Sequence, residues 1–232
     1  LLAGQTLFLL KLTKKGKKMK IVVIGAGSAS FGLSTLRDAF QSESLRGWTL
    51  TLVDINGTNL RLIAKLADKL NLAQNGLFKI EYTTDRKEAL PGADFIITSI
   101  AVKREQLWRL DFQVPLRYGI NHVLGENGGP GGLFHTLRNV PILLDICRDI
   151  EKYCPQALLL NFTNPESRIC LAISRYTKVQ TVGLCHGVFD GRRNVARILG
   201  ILPENIIPTA AGLNHFTWFL KLQHAQSGLV AR

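Results

Sequence analysis

Methionine is almost missing from this chain: among 232 residues there is one, Met19. The residues before it, Leu1 to Lys18, hold five lysines and no acid, whereas Lys20-Ile21-Val22-Val23-Ile24-Gly25 directly after it is typical of the first strand of an α/β domain. We read Leu1 to Lys18 as upstream translated sequence, with Met19 the natural start; the alternative is a solvated basic tail that touches polyanions. The segment lacks the order of a secretory signal, because its apolar run Leu7 to Leu10 precedes the lysines, and that run is too short to span a bilayer. Acidic residues are also scarce, 17 against 29 Lys and Arg, which leaves a net charge of +12 with histidine neutral. Without the five leader lysines the balance is +7, so the charge gives little reason to expect nucleic acid or an anionic membrane.

Cysteine is sparse and carries no metal-binding spacing. Cys147, Cys154, Cys170 and Cys185 contain no Cys-x-x-Cys pair, and a chain without an export signal argues against a disulfide framework. This usage points to a reducing, cytoplasmic compartment, with at least three of the thiols buried as small apolar side chains. Internal repeats and low-complexity linkers are absent as well. What is present, 46% hydrophobic residues and 21 glycines, can bury a sizeable core and excludes a disordered or collagen-like chain.

From Met19 onward short β-branched runs alternate with amphipathic stretches, the pattern of a parallel sheet covered by helices. It predicts strands at Lys20 to Ile24, Leu50 to Asp54, Phe78 to Tyr82, Phe95 to Ser99, Ala157 to Asn161 and Thr181 to Leu184. Helices are expected at Asn56 to Leu72, Glu105 to Tyr118, Leu133 to Lys152, Pro165 to Tyr176 and Gly191 to Leu199, with strand material at Ile206 to Leu222. The expected fold class is α/β, a Rossmann-like doubly wound parallel sheet complete by about residue 185, followed by the start of a truncated α+β catalytic domain. The corresponding boundaries are a leader at 1–18, the sheet domain at 19–185 and an incomplete second domain at 186–232.

Gly25-Ala26-Gly27-Ser28-Ala29-Ser30 follows the first strand and opens the next helix. Gly25 permits a tight turn and Gly27 a close approach of backbone to a pyrophosphate, with Ser28 beside it; Ser30 takes the third-glycine place, where a small residue still allows helix packing. Asp54 ends the second strand, where a carboxylate can accept ribose hydroxyls and would repel a 2′-phosphate, so NAD is favoured over NADP. Asp54 could instead cap the helix that begins near Asn56. Ser99, after the fourth strand, and Asn164, in Asn161-Phe162-Thr163-Asn164-Pro165 after the fifth, lie at carboxyl ends where ligands gather in such sheets. Asn164 is a ligand candidate because its amide can donate to and accept from hydroxyl groups, although Asn-Pro can also be only a turn signal.

Gly183-Leu184-Cys185-His186-Gly187 puts a thiol and an imidazole together, and Gly212-Leu213-Asn214-His215-Phe216 adds a second imidazole. A Cys/His pair from two elements could complete a divalent-metal site with substrate oxygens, whereas alone Cys185 reads as a core thiol and His186 as a loop histidine. Glu126 and Asn127 lie in a loop with five glycines, either a flexible crossover or a ligand-lining segment.

Taken in order, the glycine loop, Gly125-Glu126-Asn127-Gly128-Gly129-Pro130-Gly131-Gly132, the Asn-Pro segment, the Cys-His segment and the Asn-His segment resemble glycoside hydrolase family 4, over Met19 to about Leu222. The resemblance implies a glycosidase dependent on NAD and a divalent metal, usually Mn²⁺. It implies Cys185 and His215 as metal ligands, Asn164 as a substrate-binding residue, and site-lining roles for Glu126 and Asn127. His186 stands where phospho-glycosidase members often carry Asp or Asn, which disfavours a phosphorylated sugar and makes His186 the candidate leaving-group acid. The implied reaction is hydrolysis of unphosphorylated α-glucosides, α-galactosides or α-glucuronides by transient oxidation at C3, metal-assisted elimination and addition of water, an exception to the two-carboxylate scheme. It further implies a C2 base beyond Arg232 and a homodimer or homotetramer for the full-length form. The competing readings are an NAD-dependent 2-hydroxyacid dehydrogenase of malate or lactate type, and an NAD-binding fragment without catalysis.

Overall fold

The computed structural model describes residues 18–28, 31–122, 126 and 128–231. The expected leader, apart from Lys18, lies outside the described residues, as do Ser30 and Asn127. The chain divides into two compact units, Leu1–Gly183 and Leu184–Arg232.

The first unit is built on strands β1 (Lys20–Ile24), β2 (Trp48–Val53), β3 (Phe78–Thr83), β4 (Phe95–Thr98), β5 (Leu158–Asn161) and β6 (Thr181–Gly183). All pair in parallel, in the order β3-β2-β1-β4-β5-β6. This is the doubly wound arrangement, in which the strand order reverses between β1 and β4 and opens a crevice at their carboxyl ends. The covering helices are α1 (Phe31–Phe40), α2 (Gly57–Ala73), the single turn α3 (Arg86–Ala89), α4 (Arg104–Arg117), α5 (Gly129–Tyr153) and α6 (Glu166–Tyr176).

Alternation along the strands decides which helices cover which face. Val22 and Ile24 of β1 join Ile96 and Leu159 in a core closed by Leu143, Ile146, Cys147 and Ile150 of α5 and Ile169 and Ile173 of α6. Ile21 and Val23 point the other way, into a core with Leu50, Leu52 and Phe95 closed by Leu36 and Phe40 of α1 and Leu60, Ile63 and Ala67 of α2. Each fully buried Leu or Ile contributes about 1.5–3 kcal/mol of transfer free energy, so the two cores stabilise the sheet from both faces. Asn56 caps α2 by accepting the Thr58 and Asn59 backbone N–H groups.

The second unit begins with α7 (Gly187–Leu199) and continues into an antiparallel sheet of β7 (Ile206–Leu213), β8 (Phe216–His224) and β9 (Val230–Ala231). Leu213 pairs with Phe216, so Asn214 and His215 form the two-residue tip of the β7/β8 hairpin, with His215 at φ 61°. Gly191 lets α7 lie against Phe219, whose ring would stand 2.5 Å from a Cβ at that position. No helix among the described residues is long and apolar enough to cross a membrane.

Candidate active site

The β1 loop turns back at Gly25, where φ is +90° and a Cβ would lie 2.1 Å from the Ser99 carbonyl oxygen. Only glycine fits this turn, because an L side chain is strained in that region and here also meets backbone. The Gly25 and Ala26 N–H groups donate to the Val53 carbonyl at 2.9 and 3.1 Å, and the Ser28 N–H to the Gly25 carbonyl at 3.3 Å. Gly27 donates to Asp54 Oδ2 at 2.8 Å, and a Cβ there would meet the same carboxylate oxygen at 2.8 Å. Asp54 Oδ1 accepts from the Asn56 N–H at 2.8 Å, while Asn56, not Asp54, caps α2. The structure thus brings Gly25, Gly27, Ser28, Asp54 and Ser99 together at the reversal of strand order. Two positions that a single methyl group would overfill, beside a carboxylate, fit the adenosine and pyrophosphate portion of a dinucleotide.

The ends of β4 and β5 are joined by a buried seam. Thr98 Oγ1 donates to Asn161 Oδ1 at 3.1 Å, the same oxygen accepts the Thr163 N–H at 3.1 Å, and Asn161 Nδ2 donates to the Thr163 carbonyl at 3.1 Å. Thr163 Oγ1 in turn accepts the Ile100 N–H at 3.0 Å. Asn161 is 0% exposed, so its amide is committed to this seam. Asn164 lies just beyond it, half-buried, and its carbonyl accepts from Asn139 Nδ2 at 2.7 Å.

Glu126 is buried, and its charge acts on the imidazole of His135. Burial holds His135 below its ordinary pKa of 6.5, against the pull of Glu126. On the same stretch of helix Arg138 makes a two-pronged ion pair with the buried Asp111 of α4. His135, Asn139 and this ion pair were not singled out by motif reading. A signal for the first two exists in the sequence: they extend the core stripe Leu143, Ile146 and Ile150 back by one and two turns, putting polar residues in an apolar register.

In the second unit the Cys185 thiol is hydrogen-bonded to the His215 imidazole. That bond, with a Gly187 N–H that donates to Sγ at 3.3 Å, pulls the thiol below its ordinary range, although partial burial opposes the shift. A thiol poised to ionise beside an imidazole is a donor pair suited to a divalent transition metal. Among the described residues no group of three or more His, Cys, Asp or Glu could hold a metal. His186 is the N-cap residue of α7; its exposed ring places Nε2 3.3 Å from Asp190 Oδ2.

The profile described as Family 4 glycosyl hydrolase matches residues 20–201. The chain is 46% identical over 211 residues to an α-glucosidase of Erwinia rhapontici, covering 90% of this chain and 47% of that protein. It is 36% identical over 205 residues to an α-galactosidase of Bacillus subtilis (strain 168), covering 88% and 48%. It superposes with a TM-score of 0.83 on a 6-phospho-α-glucosidase from gut microorganisms solved with NAD and Mn²⁺, at 26% identity, covering 92% of this chain and 49% of that one. The chain therefore spans about half the length of the relatives it matches. A lactate dehydrogenase of Eimeria maxima, at 18% identity and a TM-score of 0.66, shares the fold alone. Profile and sequence relatives agree, and the chain belongs to glycosyl hydrolase family 4.

Proposed function

We propose that this chain carries the cofactor-binding and metal-ligating part of an NAD- and Mn²⁺-dependent glycosidase acting on unphosphorylated α-glucosides, α-galactosides or α-glucuronides. The observation that carries the reading is the Cys185–His215 pair, because a 2-hydroxyacid dehydrogenase on the same sheet has no use for a thiol–imidazole metal site. When bound, NAD⁺ supplies reversible hydride acceptance at the sugar and Mn²⁺ supplies Lewis acidity.

The chain's own residues have distinct tasks. Gly25, Gly27 and Ser28 bring backbone against the pyrophosphate, Asp54 accepts the ribose hydroxyls, and Ser99 borders the nicotinamide half. Asn164, Glu126 and Asn127 hold sugar hydroxyls. Cys185, as thiolate, and His215, as neutral imidazole, hold the metal. His186 delivers a proton to the leaving oxygen, with Asp190 Oδ2 orienting its ring. The choice of an unphosphorylated sugar rests on His186 and on the similarity to an α-glucosidase. The four free cysteines suit a reducing cytoplasm, and a homodimer or homotetramer is our expectation for the assembly.

The test is turnover of p-nitrophenyl α-glucoside by the protein with NAD⁺, Mn²⁺ and a thiol reductant, repeated with EDTA. Release of nitrophenol that needs both NAD⁺ and metal, with no net NADH, supports the proposal. Metal-independent net NADH production from a hydroxyacid would overturn it, and NAD binding with no turnover of any glycoside would reduce the chain to a cofactor-binding piece.

A further inference from the structure

The inward stripe of α5 is apolar from Leu143 onward, through Ile146, Cys147 and Ile150, all packed on the sheet. One turn earlier the same stripe carries Asn139, 1% exposed. Its Nδ2 donates to the Asn164 carbonyl at 2.7 Å, while its Oδ1 is buried with no hydrogen-bond partner. Leaving an acceptor unpaired inside a protein costs at least as much as one neutral hydrogen bond returns. The amide oxygen gives no reason for an asparagine here, so the reason lies in the one bond that its Nδ2 makes.

Its one bond does account for it. The residues around Asn164 are fixed from other directions: Thr163 by Asn161 and Ile100, and the Pro165 carbonyl by the Ile169 N–H at 3.0 Å. Asn139 holds the remaining peptide group, that of Asn164 itself. We propose that Asn139 is a positioning residue that sets the orientation of the Asn164 amide toward the sugar by gripping its backbone carbonyl. The proposal rests on the assignment of Asn164 as a sugar-binding residue made above, and it adds a residue that acts only through Asn164.

The experiment compares the protein with Asn139→Leu, Asn164→Ala and the double variant, all loaded with NAD⁺ and Mn²⁺, by calorimetric titration with methyl α-glucoside. Asn139→Leu is expected to weaken sugar binding roughly tenfold, the loss of about one hydrogen bond's worth of alignment, with NAD⁺ affinity unchanged. In the Asn164→Ala background the same substitution is expected to have no further effect, which a general packing defect would not reproduce. Unchanged sugar affinity in Asn139→Leu, or an equal loss in both backgrounds, overturns the proposal. If the parent protein binds no sugar, the glycosidase reading fails, and the side-chain amide NMR resonance of Asn164 decides this one: a shift in Asn139→Leu supports it and an unmoved resonance overturns it. Should Asn139→Leu not fold, Asn139→Ala, which removes the donor without adding bulk, takes its place; it is expected to weaken sugar binding in the same way, and parental affinity in this variant overturns the proposal.

Discussion

The thiol of Cys185 and the imidazole of His215 share a hydrogen bond, although thirty residues separate them in the chain. The hairpin tip delivers one and the segment just before α7 the other. The bond and the Gly187 N–H favour thiolate at Cys185, while burial pushes Cys147 up to about 12, Cys154 to about 11 and Cys170 to about 12. Iodoacetamide at neutral pH is therefore expected to alkylate Cys185 first, read by mass spectrometry of the digested protein. Replacing His215 with alanine should slow that reaction several-fold, and Mn²⁺ should protect the thiol. Equal labelling of all four cysteines would contradict the assignment.

Alanine at Gly25 places a methyl group 2.1 Å from the Ser99 carbonyl oxygen and forces an L residue to φ +90°. The conformational strain alone costs about 1–2 kcal/mol, and the contact must be relieved by moving the β1 or β4 loop. The expected outcome for Gly25→Ala is loss of NAD⁺ binding by calorimetry together with a lower Tm. Gly27→Ala should weaken the cofactor with a smaller stability loss, since its methyl group meets the carboxylate of Asp54 rather than main chain.

Asp111 has a side chain 3% exposed and is paired with Arg138, itself about three-quarters buried. Asp111→Ala leaves the guanidinium in the protein without its partner, a loss of about 2–4 kcal/mol by urea denaturation. The double variant Asp111→Leu with Arg138→Met should recover most of that stability, because the desolvation of both charges disappears with them.

The depressed pKa of His135 has a definite sign. Between that folded value and the ordinary 6.5 the unfolded chain binds a proton that the folded chain refuses, so stability falls as pH is lowered through this window and levels off below it. Each unit of depression corresponds to about 1.4 kcal/mol. Glu126 and Asp111 favour the proton while burial, Arg138 and Arg104 oppose it, with burial the largest influence. His135→Gln should flatten this segment of the stability profile, measured as the difference in urea midpoint between parent and variant from pH 7.5 down to pH 5. A profile unaltered by the substitution would remove His135 as the source.

The sheet was most legible at its centre, where β1 is a short β-branched run buried on both faces. Ile21, Val22 and Val23 leave little choice of structure, and β1 lies where the pattern puts it. The differences arise where tertiary contacts outweigh local preference. The second strand starts at Trp48 rather than Leu50, since Trp48 stacks on Phe95 at 6.1 Å. The α5 helix starts at Gly129 rather than Leu133, in residues whose helix propensity is poor; Gly131 and Gly132 are buried there. The α7 helix likewise begins four residues before the expected Gly191. At the site, the glycine loop and Asp54 could be located by motif because their distance along the chain is fixed by one strand and one helix. Cys185 and His215 were likewise found by motif, but the bond between them was not legible, because it depends on a hairpin tip whose reach no spacing encodes. Asn139 was hidden for the opposite reason, as an ordinary residue in a helix that matters only for the carbonyl it meets.

The seam formed by Thr98, Asn161, Thr163 and Ile100 carries a consequence for how such a molecule can diversify. It ties the loop after β4 to the loop after β5 through four hydrogen bonds. A change that re-aims either loop therefore has to break hydrogen bonds that also hold the other. Variation along the two loops is easiest at the side chains they carry, while Thr98 and Asn161, both 0% exposed, set the frame on which those side chains stand.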